Sequence, residues 1–355
     1  MKKSLIALAV AGAVSAPAFA ATSNVDIYGI MNIAIEDLGN TPSAATGADT
    51  KYTPSVVSNY SRIGFKGTED LGGGLKAVWQ VESALDGGAS YAGAGAVGGT
   101  TLGMRNTFVG LAGGFGTVLA GRHDTPYKLG TASLDPFADT IADYNLGRAD
   151  GVEVLMNAHD ARVGNALAYI SPTWGGFHFA AAVVLANDPT TANDTVDATS
   201  FTGVYANGPL FGSLSYQNVK DVVATGSDSK AWKLGLGYTF GDAKVGFIYE
   251  KVAADTLAKD RKSYLLNGSY AMGPIVLKAA YGKVSDALFS AANDDQDMWA
   301  IGADYNLSKR TSVYFVYASG DSDITSGATV LPGATVSATN SGGNSGWNLG
   351  VKHSF

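Results

Sequence analysis

The sequence contains no cysteine. An exported domain that depends on disulfide bonds would show paired cysteines, so this chain must be held together by apolar burial and backbone hydrogen bonds. Long apolar runs are equally scarce. Beyond the first 20 residues there is no stretch of about 18 apolar residues, so the sequence offers no candidate for a membrane-spanning helix.

Charged residues are sparse, and basic residues are the scarcer kind. Only 15% of the residues are charged, with 24 Lys and Arg against 31 Asp and Glu. A surface that binds nucleic acid needs a basic face. This balance therefore predicts that nucleic acid is not a partner.

The first 20 residues have the pattern of an export signal. Lys2 and Lys3 give a basic start, residues 5–14 form a short apolar run, and residues 18–20 match the small-x-small cleavage pattern. The apolar run is too short to span a bilayer, which takes about 20 residues. We therefore expect residues 1–20 to be cleaved rather than to form a buried helix, leaving residues 21–355 as one domain with a charge of −9.

Apolar residues are nevertheless abundant. The chain is 46% hydrophobic and contains 46 glycines and 17 tyrosines. Without a spanning helix, this content leaves two fold classes: a large soluble β protein, or a β-barrel whose outer face meets lipid.

Many segments alternate between large apolar and small or polar residues. The pattern is clearest in residues 347–355, 232–240, 299–305 and 75–82, and a period of two predicts β-strands with one apolar face. These segments run for about ten residues, the length of a tilted membrane-spanning strand. Aromatic residues stand at their ends, as in two interfacial girdles, whereas a soluble sandwich would place its largest residues mid-strand.

The connections between these segments alternate in length, which is typical of an outer-membrane barrel. Short turns such as residues 207–209 and 241–242 alternate with long polar runs such as 38–60 and 324–344. We predict an all-β fold, a transmembrane antiparallel barrel of sixteen strands. The predicted strands are 24–37, 61–70, 75–86, 104–112, 116–124, 163–171, 177–186, 200–206, 211–221, 231–240, 243–254, 262–272, 275–285, 298–307, 311–321 and 346–355.

One stretch, residues 125–160, does not alternate. It is rich in Asp and Glu and longer than the loops that compact domains usually keep without a use, about 15 residues at most. Taken by itself, it could fold into the barrel and narrow the lumen, or it could be a solvated surface excursion.

Several motifs carry a resemblance to a known family. Residues 61–77 (SRIGFKGTEDLGGGLKA) resemble the hairpin between the second and third strands of Gram-negative general porins, and residues 105–111 and 116–122 resemble the next hairpin. The terminal Phe355 is similar to the last residue of such barrels, where it serves assembly. The resemblance spans the mature chain and is closest to the neisserial and β-proteobacterial branch.

The resemblance implies a function and a setting. Such a protein is a homotrimer in the outer membrane of a Gram-negative bacterium, in contact with outer-membrane lipid. It passes small hydrophilic solutes and ions passively through a water-filled channel and needs no cofactor. Its third extracellular loop folds inward as a constriction, and here that loop is residues 125–160.

Basic residues on the wall and acidic residues on this loop are the candidates for the constriction. The alternation puts Arg62 and Lys66 on the inward face of the second strand, and an arginine in the lipid belt would cost about 2–4 kcal/mol. Phe108 and Val109 compete for the outward face, so only the resemblance places Arg105 inward. The complete candidate set is Arg62, Lys66, Arg105, Arg122 and Arg162 on the wall, with Asp135, Asp139, Asp143 and Glu153 on the loop.

These charges do not decide which ions are preferred, since the loop acids favour cations and the wall arginines favour anions. We expect weak selectivity. Catalysis and metal binding are not expected, because no local serine and carboxylate converge on a histidine and no ligands cluster. The remaining alternatives are a substrate-specific outer-membrane channel with a dedicated solute-binding site, and a soluble exported β-sandwich lectin.

Overall fold

The computed structural model describes most of the chain. The described residues are 24–37, 40–42, 49–51, 54–85, 102–103, 105–145, 159–186, 196–220, 228–255, 259–286, 295–322, 328–331, 334–336 and 344–355.

Sixteen antiparallel strands form the body of the molecule, as predicted. They are β1 Asn24–Asp37, β2 Ser55–Ser58 with Arg62–Gly72, β3 Leu75–Ala84, β4 Thr107–Gly113, β5 Gly116–Asp124, β6 Arg162–Ile170, β7 Phe177–Leu185, β8 Val196–Asn207, β9 Leu210–Val219, β10 Ser229–Phe240, β11 Ala243–Ala254, β12 Arg261–Met272, β13 Ile275–Ser285, β14 Gln296–Asn306, β15 Thr311–Ser322 and β16 Asn344–Ser354.

The sheet closes on itself. Each strand pairs with the next one along the chain, and β1 pairs with β2 on one side and β16 on the other, from Ile30 opposite Ser354 to Asp37 opposite Trp347. Phe355 completes this closure, because its backbone exchanges hydrogen bonds of 3.0 and 3.1 Å with Gly29. A Cβ at Gly29 would overlap the Phe355 ring. A closed barrel leaves no unpaired strand edge, which allows it to sit in lipid.

Three strands begin three or more residues away from the predicted position. The second strand already begins at Ser55, inside the predicted loop 38–60, and residues 59–61 interrupt it where Tyr60 has a φ of 58°. The fourth strand begins at Thr107 rather than at residue 104, and β8 begins at Val196 rather than at residue 200. All three differences lie at the long-loop end of the barrel, where the alternation of apolar and polar residues ends.

The two faces of the sheet differ in exposure. Leu236 and Tyr238 are 47% and 48% exposed, whereas Lys233 on the same strand and Ile248 across from Gly235 are buried. The exposed face carries large apolar residues, and the other face points into the barrel. The alternation therefore assigned the outward face correctly on these strands.

Helical structure is minor. Helix α1 is Pro126–Leu129, and a 3₁₀ turn follows at Ala132–Leu134. Among the described residues, no helix is long and apolar enough to cross a membrane. Two short hairpins, Asn40–Pro42 with Asp49–Lys51 and Ala328–Leu331 with Ala334–Val336, lie outside the main sheet.

Candidate functional site

The chain between β5 and β6 enters the interior of the barrel directly after the end of β5. We call its described residues, 125–145 and 159–161, the inserted segment. The Thr125 side chain accepts a hydrogen bond of 3.4 Å from the Lys128 N–H and caps α1, with Pro126 at the first helical position. The Tyr127 N–H donates to the inward Ser200 hydroxyl of β8 at 2.9 Å. The chain therefore leaves β5 along the inner wall.

A buried lysine joins both ends of the inserted segment to the wall. Lys233 on β10 forms a short ion pair with Asp160 and lies 3.5 Å from Glu250 of β11. The Tyr127 hydroxyl donates to Glu250 at 2.8 Å, and the Lys233 Nζ lies 4.3 Å from the Tyr127 ring centroid. The Thr125 N–H also donates to the Ala161 carbonyl at 3.0 Å, so the two ends lie side by side.

His159 is part of the same attachment. Gln217 Nε2 donates to His159 Nδ1 at 3.1 Å and to its backbone carbonyl at 3.0 Å. Because Nδ1 accepts, Nε2 carries the proton and donates to the Ser229 hydroxyl at 2.9 Å. Burial, together with nearby Lys233 and Arg261, lowers the pKa of His159 to about 3. The imidazole is therefore neutral at ordinary pH and fixes the end of the segment.

The middle of the inserted segment packs on an apolar stripe of the inner wall. Phe137, Ile141 and Tyr144 are fully buried there. The wall side of this cluster consists of Ala34, Ile248, Leu265, Ala280, Val284, Met298, Ala300, Tyr314, Val316 and Ala318. Lys278 adds a cation–π contact, with its Nζ 5.1 Å from the Phe137 ring centroid. Inward alanines leave room for the segment to lie close to the sheet.

The tip of the inserted segment reaches the opposite wall. Asp139 forms ion pairs with Arg62 of β2 at 3.1 Å and with Lys352 of β16 at 3.3 Å. The Asn32 amide of β1 donates to the Asp139 carbonyl at 2.9 Å. Burial acts to raise the pKa of Asp139, but Arg62 and Lys352 outweigh it and hold that pKa below its usual range.

Asp135 and Asp143 have a different environment from Asp139, because both bind the segment's own backbone. Asp135 accepts from the N–H groups of Phe137 at 2.8 Å and Tyr144 at 3.4 Å. Asp143 accepts from the N–H groups of Asp139 and Asn145 at 2.9 and 3.0 Å. Burial raises the pKa of Asp143 to about 6 and that of Asp135 well above its usual range, with the neighbouring Asp143 adding to the latter.

The raised pKa of Asp143 predicts that the inserted segment loosens as the pH rises. A carboxyl with a higher pKa in the folded protein stabilises the fold at low pH and loses this contribution between the unfolded pKa, about 4, and the folded one, about 6. We expect Asp143→Asn to remove this dependence, worth on the order of 3 kcal/mol. The temperature at which the folded band disappears in heat-modifiable gel migration measures it. Asp242→Asn in an exposed turn is the control, and an unchanged pH slope in Asp143→Asn would contradict the prediction.

Basic side chains gather on the wall beside the tip. Arg105 pairs with Glu82 at 2.6 Å, and Arg162 pairs with Asp124 at 3.1 Å. Burial and the neighbouring Arg162 lower the pKa of Arg105, and Arg62 is also close enough to contribute. Lys128 reaches Asp124 at 3.0 Å. The whole set is Arg62, Arg105, Lys128, Arg162 and Lys352 against Glu82, Asp124 and Asp139. We call these eight residues the charged cluster.

Three other candidates are Arg122, Lys66 and Glu153. Arg122 lies opposite Thr107 and has the same strand parity as the exposed Val118, next to a register shift between Gly121 and His123. Its place at the constriction stays a prediction. Lys66 faces inward but lies nearer the short turn, with its Nζ 5.2 Å from the Tyr28 ring centroid. Glu153 lies outside the described residues.

Four of the eight residues of the charged cluster were not among the residues predicted from the sequence: Glu82, Asp124, Lys128 and Lys352. Lys352 and Glu82 lie on the polar side of clearly alternating strands, so the same parity argument that selected Arg62 could have selected them. Lys128 and Asp124 gave no comparable signal. Lys128 comes inward only because α1 runs along the wall, with Asp124 one helical turn before it.

The sequence matches a known family along most of its length. Residues 7–325 match the family described as Gram-negative porin. Outer membrane porin protein 32 of Delftia acidovorans is 31% identical over 339 residues, which cover 88% of each chain. The major outer membrane protein P.IB of Neisseria sicca is 29% identical over 345 residues, covering 88% of this chain and 92% of that one.

Solved structures agree with the barrel fold. The anion-selective porin from Comamonas acidovorans superposes with a TM-score of 0.73 at 26% identity, covering 94% of this chain and all of the other. OmpT of Vibrio cholerae has a TM-score of 0.69 at 19% identity, over 94% of this chain and 99% of that one, and shows a shared fold.

Proposed function

The chain belongs to the Gram-negative porin family, and on that basis we propose that the charged cluster is the constriction of its channel. The protein is an outer-membrane porin, through which small hydrophilic solutes and ions diffuse passively. We propose that it performs no catalysis and needs no cofactor, because diffusion down a gradient requires only an open lumen and a wall that screens by size and charge.

The observation that carries this proposal is the meeting of the inserted segment with the opposite wall. Asp139 pairs directly with Arg62 and Lys352 on the wall, and we propose that the channel is narrowest beside these side chains. Low-dielectric walls focus the field there, which makes a few charges decide which ion passes. Among the other loop acids, Asp135 and Asp143 are proposed to shape the segment, and Glu153 to add negative charge to it.

We propose a preference for anions. The charged cluster contains five cations and three carboxylates, an excess of positive charge at the narrowest part. The raised pKa values of Asp135 and Asp143 keep these carboxyls partly protonated at mildly acidic pH, which reduces the negative charge they add there. The Comamonas relative is described as anion-selective, which supports the same sign here.

A salt-gradient measurement on the protein in a planar bilayer tests this preference. We expect a reversal potential of the sign given by anion flow, reduced in Arg105→Gln because one constriction charge is lost while Gln retains a hydrogen-bond donor. One unit charge at about 8 Å and an effective dielectric constant of about 40 changes an ion's energy by about 1 kcal/mol, a factor of roughly five in local concentration. Lys309→Gln, in a short turn, is the control with the same change of net charge. A cation-selective wild type would contradict the proposal.

We also propose a homotrimer that associates through β1–β5. On the described parts of these strands, every exposed large hydrophobic residue is aliphatic or methionine: Val25, Ile27, Met31, Ile35, Val56, Leu71, Val109, Leu111 and Val118. The outward faces of β7–β15 instead expose Trp, Tyr and Phe, as an interfacial girdle requires. The outward aromatic residues Phe65 and Trp79 of this sector are partly buried, so its girdle is weaker and it is better suited to face another subunit than lipid.

Lipid quenching tests the subunit interface. The chain has no cysteine, so Val109→Cys and Leu266→Cys each give one labelling site on the outward face. We expect brominated lipid to quench a bimane label at Leu266→Cys severalfold more strongly than one at Val109→Cys, because the neighbouring subunit shields β4. Equal quenching at both positions would place β4 in lipid and rule out this interface.

We propose that residues 1–20 are a cleaved signal peptide and that residues 21–355 form the single barrel domain. The basic start, the short apolar run and the Ala-Phe-Ala site support this division. The intact mass of the outer-membrane protein distinguishes a chain that begins at Ala21 from an uncleaved one.

A further inference from the structure

A cavity of about 360 Å³ lies inside the barrel, between the inserted segment and the short-turn ends of β8–β12. Residues 133–136 of the segment form one side of it. Its volume falls in the range of small-ligand pockets, about 300–1,000 Å³. None of its residues belongs to the charged cluster, so the cavity is separate from the proposed constriction.

Two adjacent rows of the sheet build the floor of this cavity. In one row, Gly237 lies opposite Gly246, with Phe211 on one side and Asn267 on the other. In the next row towards the short turns, Lys244 lies between Thr239 and Ser269. Residues paired across neighbouring strands point to the same face, so all these positions face the lumen. The two glycines allow Leu134 to lie close over Gly237 and the Asn267 amide to lie close over Gly246.

Asn267 gives this cavity an unsatisfied hydrogen-bond donor. The residue is 6% exposed, and its Nδ2 has no hydrogen-bond partner among the described residues. A buried donor without a partner is costly, on the order of 1–3 kcal/mol, unless something else accepts from it. Gly246 lies beside it, and a Cβ there would come within 2.6 Å of Asn267 Oδ1. The Asn267 amide therefore lies directly over Gly246, where a larger residue would displace it.

We propose that this cavity binds a small polyhydroxylated solute of monosaccharide size. The ring carbons of such a solute would lie along Phe211 and Leu134, while its hydroxyls accept from Asn267 Nδ2 and exchange hydrogen bonds with Thr239 and Ser269. Lys244 at the rim adds a positive charge, so a sugar carboxylate binds more tightly than the neutral sugar. The inference rests on the proposed function to the extent that the solute must reach the site through the lumen.

Current block by solutes tests this site in the reconstituted full-length channel. We expect glucose to reduce the current of the wild type with a saturable dose dependence in the millimolar range, unlike poly(ethylene glycol) of similar hydrodynamic size. Asn267→Leu, nearly equal in volume, should raise the half-saturating glucose concentration about fivefold, the effect of one lost hydrogen bond. Asn348→Leu is the matched control, because Asn348 is also a buried inward asparagine, on β16 and outside the cavity.

Lys244→Gln provides a second test at the exposed rim, where the fold tolerates change. Gluconate should block the wild type at lower concentration than glucose, and Lys244→Gln should remove that difference while retaining block by glucose. The inference is overturned by non-saturable block that matches the polymer, or by equal glucose block in the wild type and Asn267→Leu. A reversal potential of the wrong sign would contradict the constriction proposal and leave these block constants unaffected, so the two failures are distinguishable.

Discussion

Lys233→Met is expected to release the inserted segment from the barrel wall and to destabilise the protein by about 3–5 kcal/mol. Lys233 is fully buried between Asp160 and Glu250, and removing its charge takes away the direct ion-pair partner of both carboxylates, with Arg261 as a nearby buried cation. Methionine keeps nearly the same length and apolar stem, so the lost charge causes most of the effect. The folded band in heat-modifiable gel migration should disappear at a clearly lower temperature. Single-channel records should become noisier as the segment moves.

The matched control is Lys230→Met, three residues earlier on the same strand. Lys230 pairs with Asp255 on the surface, where both side chains are about half exposed, and surface ion pairs contribute little. A second comparison separates charge from packing. Combining Lys233→Met with Asp160→Asn and Glu250→Gln removes the three charges of these ion pairs, leaves the nearby Arg261 charged, and should restore part of the stability. Equal loss in the single and triple variants would show that the ionic network is not what holds the segment.

Asp139→Asn should strengthen anion selectivity by roughly fivefold, the effect of one unit charge at the constriction. The substitution frees Arg62 and Lys352 from their shared carboxylate and adds one net positive charge beside the ion path. Asparagine suits this position because the Asp139 φ is 62°, a left-handed conformation that Asn adopts readily. The backbone contact from Asn32 to the Asp139 carbonyl should remain. The variant therefore changes charge with little change of shape.

The reversal potential and the single-channel conductance together measure this effect. Asp286→Asn is a suitable control, because Asp286 also has a positive φ of 55° and pairs with Lys259 on the surface. The control should leave both quantities as in the wild type. A reversal potential in Asp139→Asn equal to that of the wild type would mean that the ion path does not pass the tip of the inserted segment.

Most of the barrel could be predicted because the alternation that defines each strand lies within a short stretch of the sequence. A strand with one face in lipid and the other in water must alternate, and residues 232–240 and 347–355 do so without interruption. The predicted strand boundaries were wrong where the alternation of apolar and polar residues is interrupted. Residues 55–58 pair with β1, but the break at residues 59–61 hides them among loop residues.

The site could be predicted only in part. Parity placed Arg62 inward, and the structure brings it to Asp139. Arg122 has the same parity as the exposed Val118, beside a register shift in the pairing with β6, and its role at the constriction stays a prediction. Asp135, Asp139 and Asp143 look alike in the sequence, yet two bind the backbone of their own segment and one reaches across the lumen.

The sequence by itself determined the barrel, its strand number, its compartment and the inward face of most strands, because each of these follows from local alternation, turn length or the export pattern. Only the tertiary structure decided which side chains meet in the lumen. The charged cluster joins residues from β2, β3, β5, β6 and β16 with Arg105 just before β4 and with the inserted segment, and these lie up to about 290 positions apart in the chain. Their meeting depends on barrel closure between β1 and β16, and on an apolar stripe of β11–β15 that supports the segment crossing to them.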